Sequence, residues 1–313
     1  METSQHHIYQ TFFVLQILLI HLFAFTISRT HLVASNVATR ESTLQLPPSH
    51  PIRRLLTIFT FGATEVNLSA FDKLVPNTSV LHRSAGLTYS SMKEVFSMSY
   101  ATCDIFEPFA ERNYNPALQK LSDDGKFPYI SQGTEYFEIV RDFVDVWLKK
   151  AGVAASDMHA RAFYTGCQNA STGQKYVLPS HSSKSMSDLL SSIIFAVTAY
   201  HELVGHVVDY TLLPSRSGFR LTKSDPSEID LQSFLISNVI TASTSTPMPM
   251  LMSDFSNFFG AGGAPDWEKG VWSSFKEKLE VQSKKVQNED AQRPAGLEFK
   301  YFDPKRFECS VSV

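Results

Sequence analysis

Hydrophobic and polar positions alternate along this chain mostly with a helical period. Over residues 134–150, Phe137, Val140, Val144 and Trp147 recur three to four apart, and the stripe ends at Ala151-Gly152 after Lys149 and Lys150, cations that complement a helix C-terminus. A longer segment, 183–213, sets Leu190, Ile194, Val197, His201, Val204 and Val208 on one face, with Pro214 as its stop. A histidine therefore stands in the middle of an apolar stripe. The run LPPSHP at 46–51 reads as a turn, because prolines deny backbone donors and disfavour α geometry before them, and a helix over 52–74 is expected to follow. Helices are also predicted over 227–241 and over 266–286, where Trp267, Val271, Phe275 and Leu279 recur every fourth residue. Strand signals are few, and there is no internal repeat or long linker. The expected fold class is mainly α, one helical domain over 1–313 with residues 1–11 disordered.

Residues 8–27 are twenty positions without a charge, about enough to cross a hydrocarbon layer roughly 30 Å thick. Gln10, Gln16 and His21 interrupt the run, and METSQHH before it has no Lys or Arg, so the basic start of a secretory signal is missing. An anchor or signal and a buried core helix are both open from hydropathy alone. Sequons at Asn67, Asn77 and Asn169 matter only if the chain enters the secretory pathway.

Charge removes one class of function. With 28 basic and 31 acidic residues, a formal charge of -3 and no dense Lys/Arg run, a nucleic-acid partner is not expected. Cys103, Cys167 and Cys309 are odd in number and widely spaced, which argues against a disulfide framework or a thiolate zinc site. The 24 Phe and 11 Tyr call for a bulky core or an apolar cavity.

The most informative segment is Tyr200-His201-Glu202-Leu203-Val204-Gly205-His206, with two imidazoles and a carboxylate on an otherwise apolar helix. A lone buried histidine is usually a core residue satisfied by its neighbours, but two on one helix weaken that reading. A zinc-hydrolase site of the H-E-x-x-H kind needs histidines four apart, and here they are five apart. On an ideal α-helix that spacing turns the two rings about 140° from each other, whereas a π-bulge would bring them together. Gly205 makes such a distortion easier.

Beyond this segment the chain resembles the C-terminal half of a lipoxygenase, over residues 12–313. The likeness is carried by Arg29-Thr30-His31-Leu32-Val33, then His50-Pro51-Ile52-Arg53-Arg54-Leu55-Leu56, then Val66-Asn67, in the order and spacing of the family's run that follows its first ligand pair. Asp124-Gly125 ahead of the aromatic stretch 136–150, the stretch 198–210, and Tyr301-x-x-Pro304 followed by Cys309-Ser310-Val311-Ser312-Val313 at the C-terminus are similar too. The family's N-terminal β-barrel and the front of its helical domain have no counterpart here.

The resemblance implies a truncated lipoxygenase-type helical domain with one non-haem iron, or manganese in some members. Carried over residue by residue, the first ligand falls on His21, ten before His31, and the second on Thr26, a departure because a threonine hydroxyl is a poor iron ligand. The third falls on His201. The fourth falls by spacing on Gly205, with His206 as the substitute, and the fifth is the main-chain carboxylate of Val313. The implied reaction removes hydrogen from the central methylene of a cis,cis-1,4-pentadiene in a polyunsaturated fatty acid and adds O2 to give a hydroperoxide. The stereocontrol position, a small residue in the family, falls near Asn77. The implied partners are the fatty acid and O2, with a cytoplasmic or membrane-peripheral location, possible contact with a membrane surface, and a signal or anchor at 8–27 as the alternative. Two other functions compete: a degenerate homologue without metal, motivated by Thr26, and a membrane-anchored metallohydrolase using Glu202 as base between His201 and His206.

Overall fold

The computed structural model describes residues 22–74, 76–77, 88–123, 127–205, 248–260, 264–294 and 299–311. The first element is a π-helix, π1 (Leu22–Ser35), which runs on into α1 (Asn36–Gln45). After the 46–50 turn come α2 (Pro51–Phe59) and α3 (Ala63–Leu74), then α4 (Tyr89–Ala101), the short α5 (Phe109–Arg112) and α6 (Pro116–Asp123). The long α7 (Pro128–Ala151) is followed by α8 (Met158–Ala170) and α9 (Ser183–Phe195). A second π segment, π2 (Ala196–Tyr200), then leads into α10 (His201–Gly205). Last are α11 (Ser256–Gly260), α12 (Asp266–Ala291) and two 3₁₀ turns, Lys300–Phe302 and Pro304–Arg306. Among the described residues the only strand-like pairing is one antiparallel bridge, Met250 to Glu308.

The periodicity placed α7, α9 and α12 and did not predict α1, α4, α5, α6, α8 or α11. The 134–150 stripe lies within α7, which begins earlier because Pro128 fits the first helical turn and ends at Gly152 in the left-handed region, φ 66°. The 183 start is matched at Ser183, where Ser182 and Ser185 form a reciprocal capping box. The 266 start is also matched, although α12 continues to Ala291. The helix expected over 52–74 is broken. Gly62, at φ 67°, turns the chain between α2 and α3, and a Cβ there would meet Met248 Cε at 3.0 Å. The predicted helix at 227–241 lies outside the described residues. So do residues 8–21 of the apolar N-terminal run; its visible end belongs to π1, with Ile27 buried. Among the described residues no helix is long and apolar enough to cross a membrane.

Helix α7 is the axis of the core, with α9 on one side and α12 on the other. Phe143 of α7 stacks on Phe275 of α12 at 4.2 Å and 14°, and buried Trp147 meets Phe143, Phe259 and Trp267 edge-on or tilted. A second group, Phe109, Phe195, Phe302 and Tyr136, joins α5, α7 and the end of α9 to the C-terminal turns. Among the described residues these aromatics fill core: most of their rings lie on one another at the 4.5–7 Å spacings that favour edge and offset contacts. Among the described residues, surface clefts of about 380 Å³ between α7 and α12 and of about 700 Å³ beside π1, α1 and α3 are lined by neither His31 nor His201.

Candidate metal centre

π1 lies against both π2 and α10. The crossing puts His31 of π1 opposite His201, the first residue of α10, with their Nε2 atoms 3.2 Å apart and the ring planes at 68°. Both imidazoles are buried, 3% and 4% exposed. At this distance either one nitrogen donates its proton to the other, or both lone pairs converge on one electrophile. Two imidazoles about 2.1 Å from a shared ion and at right angles would have nitrogens about 3.0 Å apart. The spacing, burial and donor chemistry of the pair therefore fit a transition metal for which imidazole is a suitable ligand.

Local structure explains why the rings face each other. In a π-helix each N–H bonds the carbonyl five residues back, so positions five apart lie one turn apart along one side. Position 26 is thus one turn before His31 in π1. A π segment, π2, lies just upstream of His201, where α10 begins as an α-helix, and His206 lies outside the described residues. Buried Tyr136 of α7 supports π2: its hydroxyl lies 2.8 Å from Thr198 Oγ1, which donates to the Ile194 carbonyl at 2.6 Å. Burial pushes the Tyr136 phenol far up, against a smaller opposing effect of Thr198, so it stays neutral.

The residue after His201 also has a structural task. Glu202, 4% exposed, accepts from Arg306 Nε at 3.0 Å and lies 2.9 Å from its Nη2, tying α10 to the turn that leads into the C-terminal tail. It is therefore not a free base, which removes the motive for the metallohydrolase reading. The tail runs inward from that turn, and Phe307, Cys309, Ser310 and Val311 are fully buried. Burial pushes the Cys309 thiol up to about 12. Arg112 stands over Tyr200 at 5.1 Å and near the Phe109 and Phe195 rings.

Of the expected donors, only His201 lies among the described residues with its side chain; His21, His206 and Val313 lie outside them. Thr26 is in π1 by its backbone. The structure adds His31, which sequence reading used only as a spacing landmark; the signal was there, in the five-residue steps from His21 through Thr26 to His31. Among the described residues, no three His, Cys, Asp or Glu side chains are grouped to hold a metal. Asn77, at the expected stereocontrol position, is exposed in the turn after α3.

No family model and no curated protein matches the sequence. Solved structures do match. A coral 8R-lipoxygenase superimposes at a TM-score of 0.72 with 16% identity, over 94% of this chain and 47% of that one. A fungal lipoxygenase from Fusarium graminearum gives 0.69 with 14% identity, over 92% and 54%. A lipoxygenase variant solved anaerobically in complex with arachidonate gives 0.71 with 16% identity, over 93% and 46%. The chain is the helical part of the lipoxygenase fold. It spans about half the length of the structures it matches.

Proposed function

We propose that this chain is a lipoxygenase-type non-haem iron dioxygenase that converts a polyunsaturated fatty acid and O2 to a hydroperoxide. The observation that carries the reading is the buried His31–His201 pair where π1 crosses π2 and α10. His201 and His31 would hold the metal, with His206 and the Val313 carboxylate completing the set and His21 offering a further imidazole from the same run as His31. Bound iron, or manganese, supplies the one-electron chemistry that a bis-allylic C–H and O2 require. The protein's own contribution is to fix the two imidazoles where they are buried from water and to carry the chain toward its C-terminus through the buried 307–311 tail. The arachidonate complex of the structural neighbour supports a fatty acid as substrate class. A location at a membrane surface or in the cytoplasm suits such a substrate.

A second reading has its own support. Thr26 stands where the family pattern has histidine and Gly205 where a fourth ligand is due, which favours a lipoxygenase-like protein without metal or activity. Metal analysis of the purified chain, paired with an ultraviolet assay for conjugated diene from linoleate or arachidonate, separates the two. About one iron per chain and diene formation, both lost in His201→Ala and His31→Ala, support the dioxygenase. One residue added after Val313 should abolish turnover, since it displaces the carboxylate by up to about 3.5 Å. Thr26→His should tighten metal binding. Metal content unchanged in both alanine variants would sink the assignment.

A further inference from the structure

We infer that Asn67 of α3 is the residue that sets the His31 tautomer and so aims its Nε2 lone pair at His201; this rests on the metal reading above for its purpose, though not for its geometry. Asn67 is 4% exposed although it opens an Asn-Leu-Ser sequon, and its side-chain amide is engaged on every side, so in the folded chain it is not a glycan acceptor. The amide nitrogen donates to the His31 carbonyl at 3.2 Å, to Asn36 Oδ1 at 2.6 Å and, at a long 3.5 Å, to Ser35 Oγ. A backbone carbonyl can only accept. The amide therefore has one orientation, with Oδ1 turned to His31 Nδ1 at 2.7 Å.

That oxygen can only accept as well, so the proton of neutral His31 sits on Nδ1, and Nε2, 3.2 Å from His201 Nε2, presents its lone pair. The chain of constraint thus runs from a backbone carbonyl of π1, through an amide on α3, to the ring nitrogen that faces the partner helix. The same contact tethers α3 to the end of π1, because Asn36 begins α1 directly after it. Asn67 touches neither ring at Nε2 and is a positioning residue. Partners of this kind are commonly worth 10–100-fold in metal affinity.

The test uses the whole chain labelled with ¹⁵N-histidine and stripped of metal, with long-range ¹H–¹⁵N spectra at one neutral pH and His31→Gln to assign the signal. Wild type should show His31 as the Nδ1–H form. Asn67→Asp, which keeps an acceptor facing Nδ1, should show it too, and Asn67→Leu should move the proton partly or wholly to Nε2. Titration with Co²⁺, followed by visible absorbance, should show about 10–100-fold weaker binding for Asn67→Leu and a smaller loss for Asn67→Asp. Nδ1–H retained in Asn67→Leu with unchanged Co²⁺ affinity overturns the inference. If Asn67→Leu does not fold, Asn67→Asp decides, and an Nε2–H ring in that variant is equally fatal. A wild type that binds no Co²⁺ removes the metal reading, while the spectra still judge Asn67.

Discussion

Replacing a glycine inside a helix by alanine should stabilise a protein by about 1 kcal/mol, because glycine gives up the most backbone freedom on folding. Two helix-interior glycines of this chain should respond with opposite signs. At Gly270 in α12 an added Cβ meets nothing within 4 Å, so Gly270→Ala should gain about 0.5–1 kcal/mol. At Gly133 in α7 the Cβ would fall 2.4 Å from Phe109 Cζ, 2.7 Å from its Cε1 and 3.0 Å from Phe302 Cζ. The Phe109 ring would have to retreat by about an ångström to reach ordinary contact distance. It has nowhere to go, being 1% exposed and held by Phe195 at 4.8 Å, Tyr129 at 5.4 Å and Phe302 at 6.3 Å. Overpacking of this kind costs about 1–3 kcal/mol and exceeds the propensity gain, so Gly133→Ala should be net destabilising by about 1–2 kcal/mol. Urea unfolding of the three proteins checks it: midpoints should move in opposite directions at equal slope. A Gly133→Ala midpoint at or above wild type would refute the packing argument, since it would mean that the aromatic cluster yields freely.

The His50 cap of α2 should make stability depend on pH. Its Nδ1 accepts from the Ile52 N–H at 3.2 Å, and burial lowers its pKa against the opposing pull of Asp157, 3.4 Å from Nε2. A depressed histidine contributes stability that is present above its unfolded pKa of about 6.5 and is lost as pH falls through the folded value. His50→Asn, a cap that does not titrate, should therefore lose less melting temperature than wild type between pH 7.5 and 5; equal losses would show that the cap is not the source. Arg306→Ala takes the guanidinium away from the buried Glu202 carboxylate and loosens the tail from α10. It should cost less than the 3–5 kcal/mol of a fully buried pair because Arg306 is itself 27% exposed, and Glu202→Gln in the same background should recover part of the loss in thermal melts.

What the chain disclosed in advance follows from what leaves a periodic trace. The stripes of α7, α9 and α12 are repeats of packing, so the Gly152 end of α7 and the starts of α9 and α12 were legible, while the start of α7 and the end of α12 lie six and five residues further out. The break at Gly62 was not, because one glycine within a helical period does not disclose that its backbone takes a positive φ, and the Met248 side chain beside it is distant in sequence. His201 stood out as polar on an apolar face. His31 did not, since its partner lies 170 residues away and only a π-helical turn puts the five-residue series on one side. Asn67 looked like a sequon, as a three-residue pattern carries no information about burial. The aromatic count was ambiguous between core and cavity until ring met ring.

The π segments make the separation of the two histidines a question of residue count. Each π turn holds about one residue more than an α turn, so Ala196–Tyr200 rewound as an α-helix with no residue lost would turn everything after it by about 100°, whereas deleting one residue there would let the helix relax to α with little rotation. In the rewound helix His201 would swing off the side that faces π1 with no change in the chemistry of any side chain. The winding of this segment thus acts as a switch of orientation, and one added codon that the π turn does not absorb would silence the pairing without touching either imidazole.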